Sequence, residues 1–473
     1  MYCICKWKKK YEECNEFFHD INSHIKHNFL DSTIFLFTFS FPFMDWLKEA
    51  LFIREMARKN NEMFGECLPM IASENILSPL CQEMLITDFH GRYAEGTPGN
   101  RYYQGCKYFD EVESKAIELA KKLFDCKYAD VRPTSGTVAN MAIFKAFAQP
   151  GDKVTVLDTA DGAHISFGKW GAAGLRGLEL HFYPFDEEKM NIDVDGAIKL
   201  IRQVEPKLAL FGQSVFLFPT PLKELAEVAH EVGAKVIYDA AHVLGLIAGG
   251  KFQQPLKEGA DVMTGSTHKT LPGPQGGIIL ANKTKEEDKE MKYLDWAVFP
   301  GVTSSYHLHH VAAKAIAFAE HLQFGKEYAE QIVKNAKKLA ESLYNLGFDV
   351  LGKDYGFTES HQVLFKVGKE KGREAAELLE KGGIIANMNM VPGDEHPLRP
   401  SGIRLGVQEL TRLGMKEGEM EEIAKFFKRI LIDKEDPLKV RKDVVEFKKN
   451  YRKIHYCFYE GKDPYEFIEL VKI

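Results

Sequence analysis

Between residues 154 and 282 the chain alternates two hydrophobic patterns. Short, nearly unbroken apolar runs occur at VTVLD (154–158), LALFG (208–212), AKVIYD (234–239), DVMTGST (261–267) and GGIILAN (276–282). Between several of them lie amphipathic stretches such as LKELAEVAHEVG (222–233). Continuous apolar strands separated by helices predict an α/β fold, with a parallel sheet covered on both faces. In such sheets ligands bind beyond the carboxyl ends of the strands. From Val311 to Gly347 one long helical stretch follows, then VLFKV (363–367), a helical segment (373–383) and GIRLG (402–406). That texture predicts a smaller α+β domain joined by the long helix, and the charged, amphipathic last forty residues read as terminal helices. The expected organisation is an arm over 44–75, a large α/β domain over 76–310, and the linking helix, small domain and tail over 311–473.

The first 43 residues differ. Their longest apolar stretch, Thr33 to Phe43, has 11 residues, against about 20 needed to span a bilayer. Lysines 6 and 8–10 supply a basic start, but Phe41, Pro42 and Phe43 make a poor cleavage site. From Met44 the pattern turns helical, with Trp46, Leu47, Ala50, Leu51 and Ile53 at helical spacing. Met44 is therefore expected to begin the functional chain, with residues 1–43 an extension or a mis-assigned start.

Composition narrows the class. Of 473 residues, 45 % are hydrophobic and 27 % charged, which excludes a largely disordered chain, collagen and a polytopic membrane protein. The net charge of −6 gives no support to a nucleic-acid surface. The eight cysteines (3, 5, 14, 67, 81, 106, 126, 457) show no CxxC pair and no Cys/His zinc spacing. They predict free thiols in a reducing compartment, the cytoplasm, and no metal site.

Polar motifs stand at the strand ends. In STHKTLPGPQGG (266–277), Lys269 follows an apolar strand. A lysine buried there loses its preference for the ammonium form, and a neutral amine can attack an aldehyde. In YDAAH (238–242), Asp239 can pair with a protonated pyridine nitrogen or simply cap a helix. His242 can meet the same ring or pack. Ser135, Gly136 and Thr137, before an apolar helix, suit either phosphate binding or plain capping. His164 in TADGAHISFG can stack on a ring or fill a core, and Arg404 in SGIRLG can grip a carboxylate or form a surface ion pair. RYAEGTPGNRYYQGC (92–106) sets Glu95 among glycines and tyrosines, where a carboxylate can move a proton.

IASEN (71–75), YAEGTPGNRYY (93–103), YDAAH, STHKTLPGP and SGIRLG together resemble the serine hydroxymethyltransferase family, from about residue 44 to about 432. The resemblance implies a pyridoxal-phosphate enzyme of the aspartate-aminotransferase fold type. Its large domain would hold a mostly parallel, seven-stranded sheet, and the enzyme would work as a homodimer with sites at the subunit boundary. It implies that Lys269 holds the cofactor's aldehyde beside His268, and that Asp239 meets the pyridine nitrogen. His242 and Ser214 would lie at the ring hydroxyl, and His164 would stack on the ring. Ser135, Gly136 and Thr137 would bind phosphate. Ser73 and Arg404 would take the amino acid, and Tyr93, Glu95 and Tyr103 would reach in from the partner.

The chain also departs from the folate-using pattern. Ser304 and Ser305 stand where a phosphate-binding glycine pair is usual, Gln275 replaces an arginine, and Thr159 and Ile165 replace leucines. Thr159, Ala163, His164, Ile165 and Asn389 would line the pterin site, and the loop from His396 to Arg399 is altered. These departures resemble the archaeal branch, in which some members use tetrahydromethanopterin. The expected reaction interconverts serine and glycine, transferring the hydroxymethyl carbon to tetrahydromethanopterin in preference to tetrahydrofolate. A threonine or β-hydroxy-amino-acid aldolase of the same fold is the nearest alternative, and a non-catalytic binding protein the other. Retention of Lys269, Asp239 and Arg404 favours an enzyme.

Overall fold

The computed structural model describes residues 46–471, so the expectation for residues 1–43 lies outside the described residues. The described residues divide into two units, the first ending at Met56 and the second beginning at Ala57. The described part of the first is the start of helix α1 (Trp46–Glu66), where Trp46, Leu47, Phe52 and Ile53 are exposed.

The second unit is built on a seven-stranded sheet: β1 (Tyr128–Asp130), β2 (Lys153–Val156), β3 (Glu179–Phe182), β4 (Leu208–Phe211), β5 (Lys235–Asp239), β6 (Val262–Ser266) and β7 (Gly277–Ala281). The spatial order is β1-β7-β6-β5-β4-β2-β3, and only β7 runs against its neighbours. Strands β4 to β7 are buried along nearly their whole length because both faces are covered. Alternate side chains feed two separate cores. Ile237, Leu210 and Ile279 pack with helix α3 (Gly136–Phe147), while Val236, Tyr238 and Phe211 pack on the other side. That second core takes in helices α2 (Lys107–Phe124), α4 (Val194–Val204) and α5 (Leu222–Glu231).

Helix α6 (Leu308–Asn345) then leads to an antiparallel sheet of β8 (Asp349–Val350), β9 (Gln362–Lys366), β10 (Asn387–Asn389) and β11 (Gly402–Gly406), ordered β8-β9-β11-β10. Helices α7 (Gly372–Lys381) and α8 (Glu417–Leu431) accompany it.

The tail differs from expectation. Helix α9 (Pro437–Lys448) forms, but residues 449–471 contain no helix. Gly461, at φ +84°, and Pro464 interrupt helical backbone there. Tertiary bonds hold this segment instead: His455 N–H donates to the Arg412 carbonyl (2.8 Å), and the Tyr465 hydroxyl to Glu409 (2.6 Å). No helix among the described residues is long and apolar enough to cross a membrane.

Candidate active site

The carboxyl ends of β4, β5 and β6 lie side by side, and the chain places its chemistry just beyond them. A cavity of about 260 Å³ is lined by Ser73, Ser135, Gly136, Thr137, His164, Asp239, Ala241, Ser266, His268 and Lys269. Eight of these residues were expected there from the sequence; Ala241 and Ser266 are additions.

Lys269 follows β6 by three residues and is 6 % exposed. Burial draws its pKa from the ordinary 10.5 to about 8; Asp239 opposes that shift and Arg404 adds to it. The Lys269 carbonyl accepts a hydrogen bond from the Asn75 amide (2.6 Å), which also reaches the Tyr328 hydroxyl (2.9 Å). Burial pushes the neighbouring His268 down to about 4, and its Nδ1 is buried without a partner.

Asp239 ends β5 and is 4 % exposed. One oxygen accepts from Ala241 N–H (2.9 Å) and the other from the Asn140 amide (2.8 Å). Asn140 lies one turn into α3, its own carbonyl taken by the Thr264 hydroxyl (2.7 Å). The same amide reaches Ser166 Oγ (3.2 Å), whose hydroxyl meets His164 Nδ1 (2.7 Å). Because Ser166 N–H also donates to that nitrogen (3.2 Å), Nδ1 is an acceptor and His164 carries its proton on Nε2. Burial lowers the His164 pKa. One buried amide therefore ties the Asp239 carboxylate to the His164 ring.

The phosphate-type motif opens α3. Ser135 Oγ accepts from Val138 N–H (3.1 Å), so Ser135 is a true N-cap, its own O–H still free to donate. A Cβ on Gly136 would fall 2.5 Å from Ser266 Oγ, which explains why glycine stands there. Lys314, fully buried on α6, donates to the carbonyls of Val131 (2.8 Å), Pro133 (3.1 Å) and Gly277 (3.0 Å). It staples the entry to α3 onto β7; burial draws it down to about 7.

Arg404 rises from the middle of β11. Its Nη1 donates to the Ser214 carbonyl (2.9 Å), and its Nε approaches Asn387 (3.3 Å). Burial lowers its pKa to about 10, so it stays charged at neutral pH. Ser214 and His242 lie against this strand pair, outside the cavity lining. Ser214 is reached because Gly212 takes φ +106° and passes close to β5, where a Cβ would lie 2.2 Å from the Asp239 carbonyl.

The 93–106 loop forms a separate cluster. Buried Arg101 donates to the Ala94 carbonyl (2.9 Å), the Gly96 carbonyl (3.1 Å) and the Tyr306 hydroxyl (2.9 Å), bracketing Glu95. The Glu95 carboxylate accepts from the Ser304 hydroxyl. The Tyr93 and Tyr103 rings lie 5.3 Å apart, both exposed. Within one chain Glu95, Tyr93, Tyr103, Ser304 and Ser305 do not line the cavity. Nor do Thr159, Ala163, Ile165 and Asn389. Ile165 is 69 % exposed, and the Asn389 amide turns to the Met390 carbonyl (2.7 Å).

Sequence reasoning missed Asn75, Asn140, Gln362 and Lys314. Asn140 had a signal, since it lies four residues after Gly136 on the same helix face. The five described cysteines (67, 81, 106, 126, 457) are free.

The serine hydroxymethyltransferase family model matches residues 49–427. The serine hydroxymethyltransferase of Pyrococcus horikoshii is 59 % identical over 397 residues, 83 % of this chain and 93 % of that protein. Those of Methanocella arvoryzae and Picrophilus torridus are 54 % and 51 % identical, covering 86 % and 90 % of this chain and 96 % and 98 % of theirs. A crystal structure of L-threonine transaldolase from Pseudomonas fluorescens, in its internal aldimine state, superimposes with a TM-score of 0.78. It is 31 % identical, covering 89 % of this chain and 94 % of its own. The chain belongs to the serine hydroxymethyltransferase family.

Proposed function

We propose that this chain interconverts serine and glycine and passes serine's hydroxymethyl carbon to a tetrahydropterin, with pyridoxal phosphate in the cavity of Lys269. One observation carries the reading: a buried lysine with its pKa drawn to about 8 shares a cavity with a firmly oriented aspartate and a glycine-cradled helix N-terminus. That donor set fits the cofactor. Lys269 would hold its aldehyde carbon, Asp239 its ring nitrogen, and Ser135, Gly136 and Thr137 its phosphate. His164 would cover the ring, His268 would flank the lysine, and His242 and Ser214 would face the ring oxygen. When bound, pyridoxal phosphate supplies a cationic ring that takes up the electron pair of a bond broken beside the amino nitrogen.

The chain's own groups do the rest. Arg404, charged and desolvated, suits a substrate carboxylate, and Ser73, which lines the cavity, would be a second contact for the amino acid. Glu95 would hold the hydroxyl proton. Its loop is anchored by Arg101 but stands apart from its own cavity, which favours a homodimer in which Tyr93, Glu95, Tyr103, Ser304 and Ser305 serve the partner's cavity.

The carrier is proposed as tetrahydromethanopterin rather than tetrahydrofolate. Support comes from the departures at Gln275, Thr159, Ile165 and the 396–399 loop, around the region that would receive the pterin with Ala163, His164 and Asn389. The transaldolase likeness keeps a pterin-independent β-hydroxy-amino-acid reaction as the second reading.

Serine cleavage measured with each pterin decides both points. The expected result is pterin-dependent turnover with a higher kcat/KM for tetrahydromethanopterin. A ratio favouring tetrahydrofolate overturns the carrier assignment, and turnover indifferent to either pterin overturns the transferase reading. Borohydride reduction should fix the cofactor on Lys269; label on another lysine refutes the site.

A further inference from the structure

The small sheet reaches His242 and the Ser214 carbonyl through a residue that no motif pointed to. Gln362 opens β9 and is fully buried. Its carbonyl oxygen accepts Phe216 N–H (2.9 Å), and its amide nitrogen donates to the Ser214 carbonyl (2.9 Å). These two partners fix which end of the side chain is oxygen: an N–H needs an acceptor and a carbonyl needs a donor, so a flipped amide would lose both bonds.

The second hydrogen on that nitrogen faces His242 Nδ1 at 3.0 Å. An N–H donor there leaves Nδ1 no room for a proton of its own. The other candidate for that hydrogen, His361 Nε2 at 3.4 Å, is itself a donor, because it bonds the Ala72 carbonyl (3.1 Å). The His361 ring stacks on His242 with centroids 5.8 Å apart and planes 22° apart, which holds the His242 ring in place.

We propose that Gln362 is a positioning residue that fixes His242 as the neutral tautomer bearing its proton on Nε2, so that the ring offers a donor at that nitrogen. The surroundings agree. His242 is 3 % exposed, and Lys269, Arg404, His361 and His164 are close enough to act on its charge. Burial and those neighbours all act to keep the ring uncharged. Gln362 and Arg404 come from adjacent strands of the small sheet and share one acceptor, the Ser214 carbonyl. The position of that sheet therefore sets both the substrate-side arginine and the His242 proton. This inference rests on the proposed function only where it has Nε2–H meet the cofactor's ring oxygen.

The test uses the full chain with ¹⁵N-labelled histidine, first stripped of cofactor. His242 should show a pyridine-like Nδ1 and a protonated Nε2 from pH 6 to 8. A proton on Nδ1 in the unsubstituted chain overturns the proposal, whatever the variants do. Gln362→Leu should give mixed tautomers. Gln362→Glu keeps an acceptor for Phe216 N–H but faces His242 with a carboxylate oxygen, so it should move the proton to Nδ1 and raise the pH at which the ring titrates. An unchanged tautomer in both variants also overturns it. Pyridoxal phosphate should bind about fivefold to tenfold more weakly to Gln362→Leu, the size of one lost buried hydrogen bond; equal affinity would remove the link to the cofactor. Failure of the functional reading shows separately, as absent cofactor binding by the unsubstituted chain.

Discussion

Replacing Lys269 by methionine should stabilise the cofactor-free chain, and the gain should depend on pH. The structure supplies the magnitude. A pKa of about 8 in the folded chain against an ordinary 10.5 penalises the ammonium form by about 3 kcal/mol. The sign follows from proton counting. Between those two values the unfolded chain binds more protons than the folded one, so stability rises with pH across that window. Below pH 8 the full penalty stands; near pH 10.5 it has gone. Urea unfolding of cofactor-free parent and Lys269→Met at fixed protein concentration isolates this group, because other titrations are common to both. The variant should be more stable at pH 7 by up to about 3 kcal/mol, and that advantage should shrink steadily toward pH 10.5. The same shift sets reactivity. At pH 7 about one Lys269 in ten is a neutral amine, against about one in three thousand for an ordinary lysine. Acylation of Lys269, followed by peptide mass mapping, should therefore show a midpoint near 8. A stability difference that stays flat with pH, or an acylation midpoint at the ordinary lysine value, would refute the reasoning.

Asn140→Leu orphans the Thr264 hydroxyl and one Asp239 oxygen; it should cost about 1–3 kcal/mol in urea unfolding and weaken cofactor binding, and unchanged values in both would show that the amide orients nothing. Gly136→Ala drives a methyl to 2.5 Å from Ser266 Oγ, so titrations should show lost affinity for pyridoxal phosphate with affinity for pyridoxal, which lacks the phosphate, nearly kept; an equal loss for both would place the damage elsewhere. Arg404→Ala should raise the serine KM by about tenfold or more, a charged hydrogen bond being worth about 1.5–3 kcal/mol. Arg404→Lys should recover only part of it because the planar fork is gone, and steady-state kinetics showing an unchanged KM in both would exclude Arg404 from carboxylate binding.

The central strands were legible because burial on both faces leaves no alternation, only apolar runs, and β4 to β7 fall within a residue or so of those runs. The edge strands were not. β1 has three residues and ends in an aspartate, while β3 reads ELHF with mixed exposure; neither offers a run long enough to separate from a loop. Among site residues, Lys269, Asp239, His164 and the 135–137 turn were legible because each is a chemically loaded residue beside a strand end or helix start. Asn140 and Gln362 were not, for a physical reason. Their work is to orient other polar groups through contacts 99 and 120 residues away in sequence, and an amide carries no charge or motif to announce that. Glu95 shows the opposite limit: the sequence marks its loop, yet one chain brings it to Ser304 and not to Lys269.

The balance of charge around the cavity argues for the kind of ligand it takes. Lys269 and Arg404 are both desolvated cations at neutral pH, and Lys314 sits buried under the loop that opens α3. The histidines nearby, 164, 242, 268 and 361, all have lowered pKa values, so they contribute hydrogen bonds and not charge. Against these cations the pocket sets one carboxylate, Asp239, whose two oxygens already accept from Asn140 and Ala241. A desolvated cation is costly until an anion pairs with it. A ligand bearing a phosphate at the α3 N-terminus and a carboxylate at Arg404 would meet two such demands at once. A phosphate-free or carboxylate-free analogue would meet one. Anionic ligands should therefore bind and stabilise the chain by mass action, and phosphate and carboxylate should add nearly independently because they address separate elements, α3 and β11.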